Sequence, residues 1–214
     1  MEFLTNGPVD PGVILPFLAA VVLIELTPGP NMGWLALVSL SQGRTAGLAA
    51  VAGITLGLTL WMLAAAFGLT EIVLAWPALY QAIRWAGVGF LFWLAWEAWK
   101  GEGGPARPAP QTRDRRRALF LRGLTANLLN PKAALFYIAL LPGFMRQDYG
   151  PALPQALTLG GMHVAVSVAI HGLIVVTAAR VSRWGAVSQG AGGRALMAGG
   201  LVLIAAWTAW ETRL

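Results

Sequence analysis

Pro28-Gly29-Pro30-Asn31 interrupts an apolar run that opens at Val13, and Asn127-Leu128-Leu129-Asn130-Pro131-Lys132 interrupts a later run that opens at Ala118. Proline has no backbone donor and its ring obstructs the carbonyl four residues earlier, so Pro28 and Pro30 flanking Gly29 predict that no continuous helix passes this point. What a break means depends on its surroundings. The chain is 57% hydrophobic and 11% charged, against roughly 25% charged in an ordinary soluble domain, and its mean hydropathy is +0.65. The apolar residues come in long runs: Val13 to Leu26, Thr45 to Leu69, Ala82 to Trp99, Ala118 to Leu141, Leu153 to Ala179 and Ala195 to Trp210. Most reach the roughly 20 residues that cross a bilayer, and together they leave little chain for a soluble domain. The expectation is an all-α polytopic membrane protein with six transmembrane helices, the first and fourth broken.

The basic residues orient those helices. Arg44, then Lys100, Arg107, Arg113, Arg115, Arg116, Arg117 and Arg122, then Arg180, Arg183 and Arg194 fall on one side of the runs. Arg84, Arg146 and Arg213 fall on the other, and Lys132 lies inside a run. The positive-inside rule puts the richer side in the cytoplasm and both termini outside it. A formal charge of +6 is thus read as orientation in a membrane and not as affinity for nucleic acid. Met1 to Gly12 has no Lys or Arg, unlike the basic start of a cleavable signal peptide, so Val13 is read as the start of the first mature helix. Trp93, Trp96 and Trp99 before Lys100 suit an interfacial anchor; the alternative is packing against neighbouring helices. With no cysteine, disulfides, thiol redox chemistry and Cys-based metal sites are excluded.

Gly101 to Arg117, rich in Gly, Pro and Arg, reads as a flexible cytoplasmic linker. It divides the chain into a first three-helix repeat (1–100), the linker (101–117) and a second three-helix repeat (118–214). An odd number of crossings makes the second half enter the membrane from the opposite side, which is inverted-repeat topology. Gly43, Gly47, Gly53 and Gly57 in the second run, and Gly199 and Gly200 in the sixth, are read as seats for neighbouring helices.

The breaks carry the chemistry. Pro28, fifteen residues after Val13, lies roughly 22 Å into the bilayer, and Asn130, twelve after Ala118, about 18 Å in from the other side. Matched broken helices in two inverted halves point to a transport site, where the positive end of a half-helix suits a carboxylate and unwound carbonyls suit an ammonium. Each break alone can also be read as a simple kink. Pro28, Gly29, Pro30, Asn31, Asn127, Asn130 and Pro131 are therefore the candidate substrate-binding residues. Glu25 and Lys132 are charges inside the spans, where an unpaired charge costs about 2.5 to 3.5 kcal/mol on insertion scales. They can serve each other, and Glu25 is the candidate proton-coupling carboxylate; a static salt bridge, or Lys132 reaching to the surface, is the alternative. His163, Ser167 and His171 recur at i, i+4 and i+8 on one helix face, as a relay, a cavity lining or hydrogen bonds across to a neighbour. Two His about 12 Å apart along a helix are too far apart to share one ion, so no metal site and no cofactor is expected.

Beyond these readings, the chain resembles the LysE/RhtB family of amino-acid exporters. The residues that carry the resemblance are Pro28-Gly29-Pro30-Asn31, the Gly-rich span from Gly43 to Gly57, Arg84-Trp85-Ala86-Gly87, and Asn127 through Lys132 followed by Leu141-Pro142-Gly143-Phe144. It runs from about Val13 to Trp210, and departs from the family pattern at Gly143, Glu25 and the two His residues. The resemblance implies six helices, export of amino acids or close derivatives from the cytoplasm, proton-motive drive and no enzymatic activity. It places the protein in a bacterial inner membrane, multi-pass, with both termini on the periplasmic or outer side. The expected partners are an amino-acid substrate and membrane lipid, with a homodimer as the alternative to a monomer. The competing function is export of a metal or inorganic cation on a similar scaffold, with Glu25, His163 and His171 as ligands. An intramembrane serine protease using Ser167 is disfavoured: the chain has no Gly-x-Ser-Gly turn, and this Ser shares its helix with both His residues.

Overall fold

A computed structural model of the protein describes residues 7–68, 75–100, 112–183 and 191–211. The described residues are helical throughout, in the order α1 (Pro11–Leu26), α2 (Pro30–Gln42), α3 (Arg44–Ala66), α4 (Pro77–Lys100), α5 (Arg113–Leu128), α6 (Pro131–Gly143), α7 (Ala152–Arg183) and α8 (Ala191–Glu211). Three of these, α3, α7 and α8, are each long and apolar enough to cross a membrane. The pairs α1–α2 and α5–α6 meet the same test when each is taken as one span, bent by 55° and 50°. The two interruptions read from the proline-containing motifs are thus real breaks in helices. The sixth expected span, α4, has 24 residues, about 36 Å of helix, but is not apolar enough to meet the test. Its sequence carries Arg84, Glu97 and Lys100, and the first two are held by other helices. Most of the expected linker, residues 101–111, lies outside the described residues.

Close helix approach depends on missing side chains. A Cβ at Gly53 would overlap the Phe120 carbonyl, and one at Gly123 the Ala50 carbonyl, so α3 and α5 cross with their backbones in contact. Gly57 in the same way faces the Asn127 side chain, and Gly87 lets α4 close over the Leu129 carbonyl at the second break. Gly47 and Gly200 also seat neighbours, Ser39 with Val175 and Leu37, whereas Gly199 faces open space. Gly43 makes the turn between α2 and α3 at φ +83°, a region that favours glycine.

Charged side chains tie the bundle together at its ends. Buried Arg84 donates to the Ala209 carbonyl of α8 at 2.6 Å, and Arg122 of α5 pairs with Glu97 of α4 at 2.6 Å. Arg115 donates to Gln42, joining the start of α5 to the end of α2. At the end away from Arg115 and Gln42, Arg146 pairs with Asp10 and Asp148, and the hydrogen bond from Arg146 holds the exposed Asp148 carboxyl below the usual carboxylate range. Outward faces are apolar: Leu15, Leu23, Leu173, Leu203 and Trp207 are all at least half exposed. So are Trp96 and Trp99, with Trp93 slightly less so, and Lys100 lies over the Trp96 ring; these tryptophans face outward and are not packed inside.

Candidate functional site

The two breaks meet. Lys132, two residues into α6's break motif, sends its ammonium across to the Ile24 and Thr27 carbonyls at the C-terminal end of α1, at 2.5 and 2.6 Å. They lie at the helix end, where the Ile24 carbonyl also accepts from the Thr27 amide, and a cation there suits the helix dipole. Its aliphatic stem lies against Gly29. The expected direct pairing of Lys132 with Glu25 is therefore replaced by backbone capping, although the two charges remain near enough to interact. Asn130 caps its own helix, accepting from the Lys132 amide at 3.0 Å, with Pro131 in the first turn of α6, where a missing donor does no harm.

Glu25 owes its position to the pattern of α1. Phe17, Val21 and Glu25 are the buried residues of that helix, spaced at i, i+4 and i+8 on one face, and this face packs on α7. There His163 Nε2 stands 3.0 Å from Glu25 Oε1, Ser167 donates to Oε2 at 3.2 Å, and His171 Nε2 lies 3.7 Å from Oε2. Ser167 Oγ is also 3.1 Å from His171 Nδ1. A serine has one hydroxyl hydrogen; with that given to Glu25, His171 Nδ1–H donates to Ser167. The two His residues are a long way apart along α7, yet their rings lean toward one carboxylate, which the helix spacing alone did not indicate. Among the described residues no group of three His, Cys, Asp or Glu is arranged to hold a metal ion.

Between the breaks and this cluster lies a cavity of about 30 Å³, bounded by Ile24, Glu25, Gly29, Asn31, Met32, Leu58, Asn127, Asn130, Lys132, Ala133, Phe136, His163 and His171. It collects nearly every residue singled out in the sequence; Pro28, Pro30, Pro131 and Ser167 are outside the lining, and Pro28 is exposed. The volume holds about two waters and is too small for an amino acid. Two of its asparagines are under-satisfied: neither polar atom of the fully buried Asn127 side chain has a hydrogen-bond partner, nor does Asn31 Oδ1. Buried polar groups are ordinarily paired, and these stand on the cavity wall. Gly29 gives the start of α2 no side-chain cap, and Gly29, Asn31 and Met32 at that helix end bound the same cavity.

Tyr137 went unnoticed in the sequence. It belongs to a π-helical turn, Phe136–Leu140, in which Phe136, Tyr137 and Ile138 are buried in succession, something a regular helix with one inward face does not do. Its hydroxyl lies 2.9 Å from His163 Nδ1. Consecutive apolar residues at Phe136-Tyr137-Ile138 hinted at burial, but nothing in the sequence specified the wider turn that makes it.

Comparison with known proteins identifies the relatives. The family model described as LysE type translocator matches residues 22–209. A homoserine/homoserine lactone efflux protein of Salmonella typhimurium is 28% identical over 169 residues, 78% of this chain and 81% of the relative. A leucine efflux protein of Klebsiella pneumoniae is 30% identical over 139 residues, 61% of this chain and 62% of the relative. An uncharacterized membrane protein of Pseudomonas aeruginosa is 28% identical over 173 residues, 78% and 80% of the two chains. No solved structure matches.

Proposed function

The chain belongs to the LysE type translocator family, a family of membrane transporters and not of enzymes, and from that premise we propose that it exports a small neutral amino acid or a close derivative from the cytoplasm. The observation that carries this reading is the meeting of two broken helices at a small cavity whose wall includes Asn31 and Asn127, the first with its side-chain oxygen and the second with its whole amide left without a partner. A substrate carboxylate has a place at the uncapped start of α2, and an ammonium group has acceptors in the asparagine side-chain oxygens. The substrate's side chain would lie against Leu58, Met32 and Phe136. The charges at the site are already engaged, Lys132 by carbonyls and Glu25 by α7, so a charged substrate side chain has no partner here. Homoserine, its lactone and leucine, named for the relatives, are uncharged in their side chains.

In this reading α1–α2, α3, α4, α5–α6, α7 and α8 are six spans, arranged as two inverted three-helix halves around the breaks, with both termini outside a bacterial inner membrane. The cavity opens to one side at a time, and a proton carried inward on Glu25 drives the substrate outward. Support for the orientation is the excess of Lys and Arg at one set of connections. The test is efflux of a panel of radiolabelled amino acids, preloaded as dipeptides, from cells with the intact protein or the Pro28→Ala, Asn130→Ala double variant. Faster loss of one neutral class with the intact protein only is the expected result. Loss of a divalent cation in place of any amino acid would replace this reading with cation export.

A further inference from the structure

On the side of the bundle away from the Arg-rich connections, a second and larger cavity of about 510 Å³ is bounded by the ends of α3 and α6 and the start of α7, including Ala66, Tyr137, Met145, Arg146 and Gln155. Tyr137 stands between this vestibule and the inner cavity: it bounds the vestibule, it is itself buried, and its hydroxyl bonds His163, which bounds the inner cavity. Tyr137, His163 and Glu25 thus form an unbroken chain of hydrogen bonds, 2.9 and 3.0 Å long. The Phe136 ring lies against the imidazole with centroids 3.7 Å apart.

We infer that Tyr137 and His163 form the entry route by which a proton passes from the outer vestibule to Glu25, with Tyr137 as the gate that keeps water out of the centre. The inference rests on the export reading and its orientation, and adds the route of the coupling ion. With Glu25 ionised, His163 Nε2–H donates to the carboxylate, so Nδ1 is the acceptor of the Tyr137 hydroxyl hydrogen. When a hydronium ion from the vestibule gives its proton to the Tyr137 oxygen and is left as water, the tyrosine hydrogen passes to His163 Nδ1 and the Nε2 hydrogen passes to Glu25 Oε1. One proton enters and one arrives, and His163 is left as the opposite tautomer. It returns to the first when Glu25 has discharged on the cytoplasmic side, the imidazole ring flips to bring its N–H back to the carboxylate, and the tyrosine hydroxyl turns back toward the ring. The other titratable groups facing Glu25 are His171 on α7 and Lys132 on α6; α2 and α3 contribute Asn31, Met32 and Leu58 to the cavity and no charge.

The test uses the full chain in proteoliposomes loaded with a pH-sensitive dye, with homoserine and leucine as probe substrates. Two rates are read: proton movement driven by a substrate gradient, and counterflow of labelled for unlabelled substrate, which moves no net proton. Tyr137→Phe keeps the ring and removes only the hydroxyl. The expected result is proton movement reduced about tenfold or more, a modest share of what a positioned proton-transfer group contributes, with counterflow kept and showing the variant folded. His163→Gln should lose proton movement as well. Wild-type proton movement in Tyr137→Phe would overturn the route while leaving the export reading standing. Absence of counterflow for both probes in the wild-type protein would remove the reading beneath it.

Discussion

The two helix breaks look alike in sequence, each built on proline and asparagine, but they are held in different ways. The second is self-sufficient: Asn130 caps α6 through the Lys132 amide, and the Leu129 and Asn130 amides bond back to Thr125 and Asn127 of α5. The first has prolines without donors and a glycine without a side chain. The α1 end keeps the Thr27 amide bonds to Leu23 and Ile24, but the Ile24 and Thr27 carbonyls also take the ammonium of a residue about a hundred positions later in the chain. One break is a support and the other is supported. An opening of the cavity that separates α1 from α6 must release Lys132, so the break that depends on a distant residue is the one suited to move.

That contrast is broken most directly at Lys132. Lys132→Met removes the donor shared by a part-buried and an exposed carbonyl, and a lost hydrogen bond to a charged group costs about 1.5–3 kcal/mol. Export should fall about 10- to 100-fold, with a lower melting midpoint in detergent. Unchanged efflux and midpoint would mean the breaks are independent. The next effect is at the other charge. Glu25→Gln should slow export about tenfold and remove its dependence on outer pH, measured as efflux from cells held at a series of external pH values; a retained pH dependence would take the proton off Glu25.

The two asparagines of the second break sharpen the comparison further. Asn127→Ala removes a buried side chain that has no partner, so the melting midpoint should hold or rise while the apparent KM for export rises about tenfold, the cost of roughly one hydrogen bond to substrate. Asn130→Ala should do the reverse, lowering stability by about 1 kcal/mol through the lost cap with the smaller change in KM. If both variants behaved alike, capping and substrate contact would not be divided between these residues.

Much of this was legible before any coordinates. Prolines within apolar runs must break helices because the lost donor and the ring clash are local facts, and both breaks appear where Pro28, Pro30 and Pro131 stand. The face shared by His163, Ser167 and His171 followed from helical periodicity. The run from Ala82 to Trp99 reads as a span, but α4 falls short of one by composition, because Arg84 and Glu97 count as charges in a sequence whatever holds them. Two things were not legible. The partner of Lys132 was mistaken for Glu25, since sequence shows charges and not exposed carbonyls. Tyr137 was missed because a π-helical turn has no residue signature.

By itself, then, the sequence determined the elements that depend on neighbours along the chain: the apolar runs, the sites where they break, the glycines that permit close crossing and the residue types at the centre. Only the tertiary structure decided the pairings, because Ile24 with Lys132, Glu25 with His163 and Gly53 with Phe120 join positions far apart in the chain. Such contacts are chosen by packing, which closes space and satisfies polar groups across helices, and no local preference encodes which distant partner arrives.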